Sequence, residues 1–136
     1  MPPKSFEYLD HTADIKFKVS GNSLDKVFEN VVLAVSDYLV GGEKVSGKQK
    51  KEIKIEKDNT ESLMYAFIDE LLYLLDSSSF LVSKAKIKID NNKLTGVLYG
   101  DSASKYEITQ IKAATYAEMK IKENLKGWEA QVVLDV

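Results

Sequence analysis

The stretch Lys84-Ala85-Lys86-Ile87-Lys88-Ile89-Asp90-Asn91-Asn92-Lys93-Leu94-Thr95-Gly96-Val97-Leu98-Tyr99 carries the clearest structural instruction in the chain. Ala85, Ile87 and Ile89 alternate with Lys84, Lys86 and Lys88, the two-residue period of a strand with one buried and one wet face. Asp90 to Lys93 then interrupts, and asparagine tolerates the positive φ that a tight turn needs. Apolar residues resume at Leu94, so the stretch reads as a β-hairpin. The same alternation recurs upstream. Ile15, Phe17 and Val19 alternate with Lys16, Lys18 and Ser20, and Ile53 and Ile55 with Glu52, Lys54 and Glu56. Downstream, Ala113, Thr115, Ala117, Met119 and Ile121 read as one strand and Ala130, Val132, Leu134 and Val136 as the last.

Two helices separate these strands. Asn22-Ser23 offers an N-cap, Leu24, Val27, Phe28, Val31, Val35 and Leu39 follow helical spacing, and Gly41-Gly42 stops the run. The second starts near Asn59-Thr60, has Glu61 in its first turn and ends at Ser77-Ser78-Ser79. Its apolar residues cover more than half the circumference, which predicts the central helix of the fold. Gly42 to Gln49 and Gly100 to Lys105 read as surface loops. Half-buried strands flanking two helices predict an α+β sandwich, an antiparallel or mixed sheet packed on two main helices, with residues 1–136 as a single domain.

Composition narrows the function. The formal charge of −2 gives no global pull toward nucleic acid, and all 19 basic residues are lysine. Without arginine, bidentate reading of base edges is weakened. With no cysteine there is no disulfide and no zinc–thiolate site. No apolar run approaches the ~18 residues of a membrane span, and Met1 to Ser5 lacks the apolar core of a signal peptide. A soluble, cytoplasmic protein without membrane partners is the expectation.

Strand phase sorts the acids. If Ile15, Phe17 and Val19 face the helices, Asp14 faces away with Lys16 and Lys18. The same count puts Asp135 opposite Leu134, and Lys112, Tyr116 and Glu118 opposite Ala113, Thr115 and Ala117. Asp14, Lys112 and Asp135 thus fall on non-core faces or strand ends. Carboxylates gathered there suit a hard cation such as calcium or magnesium, and the carboxylate of Val136 adds oxygens if the natural chain ends there. The plainer alternative has Asp14 pinning a turn and Asp135 solvated at a strand end, and spacing alone favours it.

His11, beside Asp10 and Asp14, suggests a base or metal ligand, yet no nucleophile motif accompanies it and a turn role explains it. Asp76-Ser77-Ser78-Ser79 reads as the polar exit of a helix more readily than as a nucleophile, and Asp69 and Glu70 as exposed helix positions. No phosphate-binding glycine loop is present. Lys16 and Lys18, and Lys84, Lys86 and Lys88, form basic stripes that either meet RNA phosphate or keep a sheet soluble. Aromatics are not interleaved with them along the chain, which argues against base stacking.

Tyr8-Leu9-Asp10-His11-Thr12-Ala13-Asp14-Ile15 resembles the N-terminal signature of the archease family. Lys112-Ala113-Ala114-Thr115-Tyr116 followed by Gly127-Trp128-Glu129-Ala130-Gln131-Val132-Val133-Leu134-Asp135-Val136 is similar to its C-terminal signature. The resemblance spans essentially the whole chain, with Leu24 to Leu39 and Glu70 to Asp76 matching the two helices. It implies an α+β fold and an accessory protein that is not an enzyme. The implied partner is the RNA-splicing ligase of tRNA splicing, which uses GTP and manganese and whose guanylylation and multiple turnover archeases promote. RNA would then be met mainly through that partner. A chaperone or specificity modulator of a tRNA cytosine-5 methyltransferase is the implied alternative, and a metal-dependent hydrolase or nuclease built on Asp14, Asp135 and His11 the weaker third. The resemblance also implies a metal site at Asp14, Asp135 and the C-terminal Val136, usually calcium with magnesium or manganese possible, and a functional lysine at Lys112. It turns the balance toward a site. One departure stands out: Ala117 occupies a position where the family commonly has histidine, and the strand count turns it toward the core, as for a packing role.

Overall fold

The hairpin is present in the computed structural model, which describes residues 5–9 and 14–136. Strands β4 (Phe80–Asp90) and β5 (Lys93–Ser102) pair from Asp90↔Lys93 outward. Asn91 and Asn92 have φ of 50° and 60°, the paired left-handed residues of a turn that matches strand twist. Strand β3 (Gln49–Glu56) joins the other side of β5, giving a three-stranded sheet in the order β3-β5-β4. At Gly100 an added Cβ would collide with the Leu81 carbonyl, so the close crossing of β5 over β4 requires glycine.

The second sheet holds β1 (Phe6–Leu9), β2 (Asp14–Gly21) and β8 (Gly127–Asp135), with β6 (Ala113–Ala114) and β7 (Lys120–Asn124) sharing the far side of β8. Every pairing in both sheets is antiparallel. Between the sheets lie α1 (Leu24–Val40) and α2 (Thr60–Ser78), each touching strands of both. The caps are as the sequence indicates. Ser23 Oγ accepts from the Lys26 amide and Asn59 Oδ1 from the Ser62 amide. Gly41 closes α1 at φ 61°, and Ser79 closes α2 in the left-handed region at 51°. Phe28 of α1 and Phe67 of α2 meet at 5.5 Å between ring centroids in the centre of the core. Phe17, Val132 and Leu134 pack from one sheet, and Leu94 and Leu98 from the other.

Three expectations are corrected. The more buried helix is α1, with ten buried positions against seven in α2. It reaches the edge of the three-stranded sheet as well, where Asp25 and Glu29 accept the outward amides of Ile89 and Ile87 on β4, each at 2.9 Å. Gly100 to Lys105 is not a surface loop. β5 continues to Ser102, Gly100 and Asp101 are buried, and only a short 3-10 turn at Ala103–Lys105 follows. The single strand expected from Ala113 to Ile121 is broken into β6 and β7 by an excursion at 115–119, and Ala117 is exposed within it.

Candidate functional site at the strand ends

Register decides where the acids fall. β2 and β8 pair so that Asp14, the first residue of one, lies opposite Asp135, the last of the other. Directly opposed residues point to the same face of a sheet, with Cβ atoms ~5 Å apart. Here that face is the one turned from the helices, because Ile15↔Leu134 and Phe17↔Val132 supply the core side. On the other flank of β8, Ala113 pairs with Asp135, and the Lys112 amide donates to the Asp135 carbonyl at 2.8 Å. The end of β8 is thus held between two strands, with half-buried Asp14 and Asp135 on one rung and exposed Lys112 at its rim.

The structure therefore brings Asp14, Asp135 and Lys112 together, although the phase expected for Lys112 was wrong. Ala114, not Ala113, is the core residue of β6, and Ala113 shares the face of the two aspartates. Lys112 precedes the strand, so sheet alternation does not fix its side chain. Val136 follows Asp135 and packs, partly buried, against the core. His11 and Asp10 lie outside the described residues. Ser77 and Ser78 are exposed at the end of α2 with their hydroxyls 3.3 Å apart, and Asp69 and Asp76 are exposed on the same helix, beside the half-buried Glu70.

The excursion at 115–119 flanks this rung, and the sequence did not reveal it. Thr115 donates through both its amide and its hydroxyl to the Val133 carbonyl. Tyr116 then stacks on Tyr65 of α2, ring centroids 4.4 Å apart. Glu118, at φ 52°, turns to the opposite side, where its carboxylate pairs with Lys16 at 3.0 Å and its carbonyl accepts from Gln131 at 2.8 Å. The segment wraps the sheet edge and lies over the face that carries the two aspartates. Alternation of small residues from Ala113 to Met119 masks it, since nothing in that pattern marks a break.

Two anchors hold the approach to the site. The single hydroxyl proton of Tyr8 on β1 is donated to Asp37 at 2.8 Å, with the Ala34 carbonyl also within reach at 3.1 Å, fixing β1 to α1. Burial, reinforced by the Asp37 carboxylate, pushes the Tyr8 hydroxyl well above its ordinary pKa. Asp101, 3% exposed, accepts from the Ser102 amide, Lys105 and Tyr106, and the Tyr106 hydroxyl in turn accepts from the Ser46 amide. The Ser102 amide first, then Tyr106 and Lys105, hold the Asp101 carboxyl below the usual carboxylate range. This network sets the path of the segment that leads to Lys112.

The comparison with known proteins decides the family. The profile of the archease protein family (MTH1598/TM1083) matches residues 6–136. The chain belongs to the archease family. Protein archease of Methanosarcina barkeri is 36% identical over 143 residues, covering 98% of this chain and 97% of that one. The solution structure of Methanobacterium thermoautotrophicum protein 1598 superposes with a TM-score of 0.79 at 29% identity, covering 98% of this chain and all of that one. The Thermotoga maritima archease, described as a possible chaperone, superposes at 0.63 and 26% identity over 94% of each chain. The two end segments that carry the resemblance meet at the rung formed by Asp14 and Asp135. As a donor set, two carboxylates on one face are hard oxygen ligands and fit a hard divalent cation. They are a pair rather than an enclosing cluster, because among the described residues no three His, Cys, Asp or Glu are placed to hold a metal. No helix among these residues is long and apolar enough to cross a membrane.

Proposed function

We propose that this archease-family chain is an accessory protein of the RNA-splicing ligase, acting through the acidic rung at the ends of β2 and β8. The observation that carries this reading is the register Asp14↔Asp135, with the Lys112 amide on the same terminal residue. Like charges directly opposed on a sheet repel, and a divalent cation shared between them would offset that repulsion. Asp14, Asp135 and Val136 would hold a divalent ion, calcium on the family pattern, with magnesium or manganese as alternatives. When bound, that ion would offset the paired negative charge and present a positive centre to an anionic group. Lys112, exposed beside the rung, would meet a nucleotide phosphate or a carboxylate of the ligase. The rigid β8 end, gripped by β2 and β6, keeps these groups in place as the tip docks at the mouth of the ligase active site.

Covalent incorporation of GMP into the ligase tests this. Wild type should speed it, whereas Asp14→Ala and Asp135→Ala should not, with melting temperatures that show both still folded. Unfolding of both variants would return the acids to a structural role. The description of the Thermotoga maritima relative as a possible chaperone supports a second reading, protection and specificity tuning of a tRNA methyltransferase. Suppression of methyltransferase aggregation without any effect on GMP incorporation would favour it.

A further inference from the structure

The face of the three-stranded sheet that turns away from the helices is a second charged surface, on the other sheet from the acidic rung. Leu94, Leu98, Ala85 and Ile87 occupy the helix side of that sheet, so their strand neighbours point outward. β4 contributes Lys84, Lys86 and Lys88 to the outer face, and β3 contributes Lys50 and Lys54 with Glu52 between them. The middle strand is uncharged between these two edges, presenting Tyr99, Val97 and Thr95. The rungs read Lys50–Tyr99–Lys84, Glu52–Val97–Lys86 and Lys54–Thr95–Lys88. No aromatic lies among Lys84, Lys86 and Lys88 along the sequence, but cross-strand pairing sets Tyr99 between Lys50 and Lys84. That reverses the argument against base stacking.

We infer that this face binds single-stranded nucleic acid, with the lysines on the phosphates and Tyr99 under a base. Three features favour that ligand. Same-face residues on a strand repeat every ~6.6 Å, so Lys84, Lys86 and Lys88 form a regular file along one edge, as an extended polyanion requires. None of Lys50, Lys54, Lys84, Lys86 or Lys88 is ion-paired with a carboxylate among the described residues, and of the five Lys84 makes a cation–π contact. Lys84 Nζ lies over the half-buried Tyr99 ring, 5.3 Å from its centroid, so a phosphate that draws this lysine aside frees the ring face for the base. Beyond Lys84 and Lys86 the face continues into a cleft of about 460 Å³ between α1 and β4, lined also by Lys26, Glu29, Asn30, Leu33, Ala85 and Tyr99. Leu33 and Ala85 give it an apolar floor that accepts a base unstacked from its neighbours, and the Glu29 carboxylate there is already engaged by the Ile87 amide and Lys26. A duplex, whose bases stay stacked, could use only the charge.

Fluorescence anisotropy of a labelled oligouridylate with the isolated protein tests the proposal, and a duplex RNA of equal length is the comparison. The single strand should bind more tightly than the duplex. Its affinity should fall with salt at a log–log slope of roughly −2 to −3.5, the span for three to five lysine–phosphate contacts. Lys84→Gln/Lys86→Gln/Lys88→Gln should weaken binding at least tenfold and flatten the slope by about 2. Tyr99→Ala should cost about fivefold or more, and Tyr99→Phe, which keeps the stacking ring, should bind as wild type does. These positions lie on the solvent face, and unchanged melting temperatures will confirm that the fold persists. Absence of binding at low salt, equal affinity for duplex and single strand, or a triple lysine variant or Tyr99→Ala that binds as tightly as wild type would overturn the proposal.

Discussion

Truncating Asp25 and Glu29 to alanine will open the outer edge of β4. Four residues along a helix advance ~6.0 Å and two along a strand ~6.6 Å, so α1 running beside β4 meets successive outward amides with successive carboxylates. Ile89 and Ile87 donate to them at 2.9 Å. A hydrogen bond to a charged acceptor contributes about 1.5–3 kcal/mol. Both carboxylates are half-buried, which argues for the low end, ~1.5 kcal/mol each. The two sites are neighbours and will not add fully, so the pair should cost about 2–3 kcal/mol. For 136 residues, at ~2.1 cal/mol/K of unfolding entropy each, that lowers Tm by roughly 7–10 °C. The uncovered amides also make β4 a template for another strand, so the double variant should self-associate. Thermal unfolding by circular dichroism and size exclusion with light scattering read both effects. A double variant melting within ~1 °C of wild type, with an unchanged elution volume, would refute the reasoning.

Other consequences follow from the anchors around the site. Tyr8→Phe removes the hydroxyl held by Asp37 and should destabilise the fold by about 1 kcal/mol in urea unfolding. The folded-state pKa of Tyr8 is raised, so its contribution is complete below the unfolded value near ~10 and declines at higher pH. An absorbance titration of wild type and Tyr8→Phe should differ by one tyrosine that ionises above the ordinary phenol range. Asp101 behaves in the opposite sense. Its folded pKa is depressed, so the stabilisation is present above the unfolded value of ~3.9 and is lost as pH falls through the folded one. Asp101→Asn should therefore melt below wild type at neutral pH, and the gap should close in acid. Ala117→His should change stability by no more than ~0.5 kcal/mol, because the position is exposed. A loss of several kcal/mol would place residue 117 in the core after all.

Local signals made much of the fold legible. Asn91-Asn92 specify the hairpin turn, Ser23 and Asn59 begin the helices, and Gly41 ends the first, each through chemistry confined to a few residues. The alternating apolar faces of β2, β3, β4 and β8 were equally clear. Strand partners are set by long-range packing instead, so alternation permitted Asp14 and Asp135 to meet without showing that they share a rung. The excursion at 115–119 escaped for a related reason. Its stabilising contacts are Tyr65, Lys16 and Gln131, all distant in sequence, while its own residues continue the strand rhythm. Asp101 was misread because its polarity suggests a loop, yet a lysine, a tyrosine and its neighbour's amide satisfy it in the interior. Tyr99 became informative only once pairing set it between Lys50 and Lys84.

The most direct test of the acidic rung is multiple-turnover RNA ligation by a splicing ligase, with wild-type protein and with Asp135→Ala. The rung's proposed role predicts many ligations per ligase molecule with wild type and no gain over ligase alone with a folded Asp135→Ala. Equal stimulation by the two proteins would contradict it.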